Sequence, residues 1–281
     1  MSEKWDGHSH TQFCLHGAVE DVEQLIQRAI SRGFTKYSIT EHAPMPKGFY
    51  EKAGGPKWAL ETAGMEPGAV ERYLKTMHGL KKKYASQIEL LIGMEYDYLP
   101  EFNAWTTDFL NEYGGQMDDG ILSVHFLPGN EGLRVIDESP GDYKDGLLDF
   151  YGNFQAVQEA YLERVYGSIM ADLGPHKPKR IGHVSLARKF KNAFPHEDTG
   201  FSQTSMDWYQ KIFTEMERQN LAMDMNMAGL FKDYCQEPYP PKEILNHFKP
   251  KVKKIYGSDS HHLDDVERGY EVYREMMGGM K

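Results

Sequence analysis

The sequence predicts an α/β fold in which seven parallel strands, each followed by a helix, close into a barrel. Three observations predict it. Short apolar runs alternate with amphipathic stretches of helical length from one end of the chain to the other. At 281 residues the chain is long for one domain but ordinary for a barrel of this kind. Each apolar run also stops at a histidine, a carboxylate or an asparagine, as strands do when chemistry gathers at their C-terminal ends.

The first strand is short: Trp5 leads into DGHSH, residues 6–10. Behind it Val19, Val22, Leu25, Ile26, Ala29 and Ile30 recur on one face of a helix, and Gly33 stands where that helix should end. TKYSITEH reads as the next strand, ending at Glu41-His42. Residues 44–68 are rich in Pro, Gly and aromatics and exceed what a barrel connection needs, so a lid or substrate loop is expected there. The alternation continues with helix AVERYLKTMHGLKKKYA, strand IELLIGMEYDYLP, helix EFNAWTTDFLNEY and strand GILSVHFLP. A second, polar insertion covers residues 129–152. Helix FQAVQEAYLERVYGSIMADL, strand KRIGHVSL, helix SMDWYQKIFTEMERQ and strand LAMDMNMAG follow. A short helix after Pro240-Pro241, strand KKIYGSDSH and helix DDVERGYEVYREMM close the chain. No internal repeat or low-complexity tract interrupts the pattern.

Composition narrows the function. A net charge of −10 weighs against nucleic acid or an anionic membrane as a partner, because neither finds a basic face to grip. Cys14 and Cys235 are the only cysteines, so no disulfide framework is readable. MSEKWDGHSH lacks the apolar stretch of a signal peptide, and no run approaches the ~18 apolar residues of a membrane span. A reduced, cytoplasmic protein is expected.

The strand ends carry, in order, His8 and His10, His42, Glu95, His125, His183, Asn226, then Asp259 and His261, with His16 on the first loop. Taken singly, each has an ordinary explanation. A His-x-His pair is often accidental, His125 or His183 would pass for a hydrogen-bonded core histidine, and Asp259 would pass for a helix cap. Glu95 is harder to explain away, because a carboxylate following a buried strand needs a partner. Together, seven histidines and two carboxylates over six strand ends and one loop point to metal. Imidazole and carboxylate suit Zn, Mn or Fe, and no thiolate is among the candidates. Nine ligands exceed the needs of one ion, so two or three divalent ions are expected. His78, His176, His196, His247 and His262 fall in helical, loop-like or adjoining positions without such a role, and Cys14 reads as a small buried residue.

DGHSHTQFCLH, TEHAP, GMEYDY, SVHFLP, GHVSL and GSDSH, in this order, resemble the polymerase and histidinol phosphatase (PHP) family over nearly the whole chain. The two insertions and ITEHAPMP are most similar to its histidinol-phosphate phosphatase branch. The resemblance implies one metallophosphatase domain over residues 1–281, a distorted (β/α)7 barrel, TIM-barrel-like, with a trinuclear site. It implies one ion on His8, His10, Glu95 and Asp259, a second on His16, His42 and His261, and a third on His125 and His183, with Glu95 bridging the first and third. It further implies hydrolysis of the small phosphomonoester L-histidinol phosphate to L-histidinol and phosphate, a step of histidine biosynthesis, through a metal-bridging hydroxide. Glu95, Asp259 and His261 would then be catalytic, and Arg188, five residues past His183, is the candidate phosphate contact because arginine offers two donors. The rivals are a PHP phosphoesterase acting on another small phosphomonoester or on a phosphodiester, an amidohydrolase, and a catalytically silent metal-binding module. A diesterase would favour a basic channel, an amidohydrolase a lone late Asp, and a silent module would be expected to lack some ligands.

Overall fold

In the computed structural model, which describes residues 3–17 and 20–278, the strands assemble as the alternation predicts. They are β1 (Trp5–Asp6), β2 (Lys36–His42), β3 (Glu89–Asp97), β4 (Ile121–Ser123), β5 (Phe126–Gly129), β6 (Gly132–Val135), β7 (Arg180–Ile181), β8 (Ala222–Asn226) and β9 (Lys253–Gly257). Seven of them form one parallel sheet in the order β1-β2-β3-β4-β7-β8-β9, among the described residues. The ring closes between the chain's two ends. Gly7 N donates to Tyr256 O, Asp259 N to His8 O and His10 N to Ser260 O, and Ser9 pairs with Ser260 in a parallel bridge. His-x-His and Asp-x-His therefore lie side by side.

Helices cover the outside: α1 (Val22–Ser31), α2 (Lys57–Glu61), α3 (Val70–Tyr84), α4 (Asn103–Tyr113), α5 (Pro140–Tyr143), α6 (Asp149–Tyr151), α7 (Phe154–Met170), α8 (Gln203–Arg218), α9 (Lys242–Phe248) and α10 (Tyr270–Gly278). The first shows why. Asp21 and Gln24 satisfy each other's backbone N–H groups at its start, and the chain leaves it at Gly33, with Phe34 N bonding back to Ala29 O. Val22, Leu25, Ile26 and Ala29 are buried by the spacing that predicted the helix, Ile30 packs at the edge, and Val19 lies outside the described residues. Burying each of the larger side chains contributes about 1.5–3 kcal/mol.

β2 is buried along nearly its whole length because helices press one face and the barrel bore fills the other. Its register with β3 runs from Lys36 opposite Glu89 to His42 opposite Glu95, which sets those two functional side chains level at the mouth.

GILSVHFLP departs from the sequence reading. It is not one strand: β4 stops at Ser123, and the chain restarts at Phe126 as β5, which turns back antiparallel onto β6. The break frees His125 from the ladder, and Asp97 takes its Nδ1 at 2.9 Å. Residues 129–152 thus carry a hairpin end, α5, a π-helical turn at Lys144–Leu148 and α6, in place of a plain polar loop. Residues 44–68 contain α2 and bury Met45, Phe49 and Leu60 with Leu99, Phe126 and Leu133, a small core distinct from the main one. The first insertion is packed against the hairpin.

Candidate metal centre

Glu95, at the end of β3, is 2% exposed and sits at the middle of the barrel mouth. Its two oxygens face different partners. Oε2 lies 3.1 Å from His8 Nε2, 3.5 Å from His10 Nε2 and 3.4 Å from His42 Nδ1. Oε1 lies 3.0 Å from His183 Nε2 and 3.6 Å from His125 Nε2, and accepts from Ser123 Oγ at 2.6 Å. Asp259 approaches from β9: Oδ1 is 3.2 Å from His10 Nε2, 3.7 Å from His8 Nε2 and 3.6 Å from His261 Nδ1. Its backbone has φ +52°, and is held there by Asp259 N on His8 O and by Arg268 Nη2 on Asp259 O. Left-handed conformations cost energy and tend to persist where surrounding contacts fix a functional group.

A ring of acceptors orients the imidazoles. His8 Nδ1 meets Asp224 Oδ2 at 2.8 Å, His10 Nδ1 meets Glu41 Oε1 at 3.3 Å, and His125 Nδ1 meets Asp97 Oδ1 at 2.9 Å. His16 Nδ1 meets Thr62 O at 2.7 Å, and His261 Nδ1 meets Asp259 O at 3.2 Å. With those protons on Nδ1, the Nε2 lone pairs of His8 and His10 face each other at 3.2 Å and face two carboxylates as well. Acceptors converge, and a positive charge between them, a metal ion or a proton, relieves the repulsion.

The electrostatics mark a site that gathers positive charge. Burial opposes charge on His8, yet Glu95, Asp224 and Asp259 hold its pKa well above the ordinary value. Against the same opposition, Asp259 and Glu41 lift His10 to about 9, and Asp97 and Glu95 lift His125 to about 10. Burial, and then the neighbouring His10, push His42 and His261 well below theirs. Burial opposes ionisation of Glu95 and Asp259, but the imidazoles around them hold both well below the carboxylate range. His42 Nδ1, His183 Nδ1 and His261 Nε2 are buried without a hydrogen-bond partner. The donor set fits divalent cations.

Three groups of donor atoms lie within 4.8 Å of one another: His8, His10 and Glu95; Glu95, His125 and His183; and His10, Cys14, His42 and His261. His16 is exposed on the rim, its ring 5.0 Å from that of His42 and 5.4 Å from that of His261. All nine residues named from the sequence therefore meet at one mouth. Sequence reasoning missed Asp224, Glu41 and Asp97, and it set Cys14 aside. A signal existed for Asp224: a carboxylate two residues before Asn226 in an apolar strand must face the same side of it.

Arg188 is a correction. Its guanidinium does not reach the mouth: Nε donates to Glu237 Oε1 at 2.6 Å and Nη1 to Gln158 Oε1 at 3.0 Å, over the ring of Phe201. The short helical turn Leu186–Arg188 directs it inward against α7, while Lys189, one residue on, lines the pocket and donates to Asp137 Oδ2 at 3.0 Å. Arg188→Met should therefore cost stability, about 3–5 kcal/mol for breaking a buried pair. The kcat/KM of the folded fraction should hardly change, whereas Lys189→Ala should do the reverse. Denaturant melts beside steady-state kinetics test this; a stable Arg188→Met with depressed turnover would reinstate the phosphate contact.

The pocket beneath the rim has a volume of about 330 Å³, and Trp58, Thr62, Asp137, Glu138 and Lys189 line it together with the histidines and carboxylates of the mouth. Among the described residues, no helix is long and apolar enough to cross a membrane.

The sequence pattern of the PHP domain matches residues 6–228. The histidinol-phosphatase of Bacillus subtilis is 36% identical over 274 residues, which cover 97% of this chain and 99% of that protein. A Listeria monocytogenes structure provisionally named histidinol phosphatase superposes with TM-score 0.93 at 47% identity, covering 96% of this chain and all of that one. A more distant structure, histidinol phosphate phosphatase from Lactococcus lactis, shares the fold, with TM-score 0.70 at 16% identity over 98% of this chain and 94% of that one. That protein was solved with Zn, L-histidinol and phosphate.

Proposed function

Because this chain belongs to the PHP domain family, we infer that it hydrolyses L-histidinol phosphate to L-histidinol and phosphate. The observation that carries the substrate is the match to the Bacillus enzyme along essentially the full length of both proteins. The barrel mouth supports the chemistry. We assign one ion to His8, His10, Glu95 and Asp259, another to His125, His183 and Glu95, and a third position to His42, His261 and His16. The split contacts of the two Glu95 oxygens support its bridging place in this scheme. Two to three ions of Zn, Mn or Fe suit these donors. When bound, such ions supply Lewis-acid charge for the phosphoryl oxygens and acidify water at neutral pH.

The chain's own residues do the rest. Lys189 lines the pocket, its Nζ held by a hydrogen bond to Asp137 Oδ2, where it can donate to phosphate oxygens. Glu138 lines the same wall with Oε2 buried and unpartnered, a waiting acceptor for the substrate ammonium. Trp58, on α2, narrows the entrance from the first insertion and limits water at the reacting phosphate. The adjacency of β1 and β9 supports reading residues 1–281 as a single domain. The two unpaired, buried cysteines are consistent with work in the cytoplasm.

The test is kcat/KM for histidinol phosphate against nucleotide, sugar and aryl phosphomonoesters and a phosphodiester, at matched metal loading. Loss of the ammonium contact should cost about 1–3 kcal/mol, or roughly 5- to 150-fold, so deaminated analogues should fall by that factor. Equal or faster hydrolysis of several unrelated esters would make this a different phosphatase with the same metal chemistry.

A further inference from the structure

Cys14 has no part in the assignment above, yet the residue is 5% exposed and its Sγ belongs to a group whose other donor atoms are nitrogens of His10, His42 and His261, all within 4.8 Å of one another. The loop is built to put it there. Cys14 N donates to Thr11 O, Thr11 N is fixed by Glu41 Oε2 at 2.8 Å, and Gly17 N returns to Cys14 O. Gly17 lies so close that a β-carbon there would stand 3.1 Å from Sγ and 3.4 Å from His261 Cδ2, so only glycine lets the loop close over the thiol. Two histidines of the same group also keep a buried ring nitrogen without a hydrogen-bond partner. One is His42, 7% exposed, whose Nδ1 has none and stands 3.4 Å from Glu95 Oε2. His261 Nε2 is likewise buried and unpartnered.

We propose that Cys14 Sγ joins His42 and His261 as a ligand to one ion of the centre, making that position softer than the other two and selective for zinc over manganese. The inference rests on reading the barrel mouth as a metal centre. Binding would break the S–H bond, release the proton to solvent and form the sulfur–metal bond. Thiolate sulfur favours Zn, whereas oxygen-rich sites suit Mn, so the softness of one position follows from its sulfur.

Cobalt(II) reports the bond directly. The full chain loaded with cobalt, with metal content measured by elemental analysis, should show a near-ultraviolet thiolate-to-cobalt charge-transfer band. Cys14→Ser should lose that band and lower the zinc-over-manganese preference at one position by about tenfold or more. Cobalt bound without the band in the unmodified protein, or a band that survives Cys14→Ser, overturns the proposal while the metal centre stands. Protein that binds no cobalt, zinc or manganese overturns the centre and the proposal together. The unmodified protein alone decides the matter if Cys14→Ser does not fold.

Discussion

Glu95→Gln should lower bound metal by more than one ion per chain and reduce kcat/KM by at least about a thousandfold, roughly 4 kcal/mol of transition-state stabilisation. Glutamine keeps the shape of the side chain and removes the charge that two sets of imidazoles share. Oε2 faces His8, His10 and His42, and Oε1 faces His183 and His125, so one substitution weakens donors on both sides. His16→Ala is the contrast. On the exposed rim and held by a single contact to Thr62 O, His16 should release no more than one ion and leave the others in place. Elemental analysis beside steady-state kinetics separates the two. Equal metal loss in both variants would dissolve the bridging assignment.

How far the sequence foretold this mouth depends on what kind of information each residue carries. Strand ends were legible because apolar runs and their terminating residues are local. The order His42, Glu95, His125, His183 around the ring then followed from parallel connectivity. The meeting of His8 and His10 with Asp259 and His261 was legible only through closure of the barrel, which hydrogen bonds such as Asp259 N on His8 O carry out. Side-chain direction in irregular segments was not legible. In LARKF both Arg188 and Lys189 were available, and a three-residue turn decided that arginine faces Glu237 and lysine the pocket. Cys14 was read as a small buried residue, and it is buried; its nearness to His42 and His261 was not legible, because two tight turns in the loop after β1 set it. Residues 44–68 were expected as a lid or substrate loop, and Trp58 and Thr62 do line the pocket. Their apolar residues also pack on the hairpin of residues 126–135, a contact partner that sequence could not name.

Asp224→Ala should weaken metal binding and activity about 10- to 100-fold although Asp224 is not among the assigned metal ligands. Asp224 is fully buried on β8, and its Oδ2 accepts the Nδ1 proton of His8 at 2.8 Å. That bond fixes the tautomer, which directs the His8 Nε2 lone pair at the position next to Glu95 and Asp259. The fold makes room for it at one point: a β-carbon on Gly257 would collide with Asp224 Oδ1 and stand 2.9 Å from His8 Cβ. Without the carboxylate, His8 keeps a buried donor with no acceptor, at a cost of about 1–3 kcal/mol, and can take the other tautomer. Asp224→Asn retains a hydrogen-bonding oxygen but not the charge, and should fall between the wild type and Asp224→Ala. Because the residue acts by holding a ligand, raising the concentration of added metal should restore most of the lost kcat in both variants. Chelator competition measures the affinity, and kinetics across a metal titration measures the recovery. An Asp224→Ala protein that holds its ions as tightly as the wild type and stays slow at saturating metal would show that Asp224 acts on the reacting groups themselves, and the positioning role would be wrong.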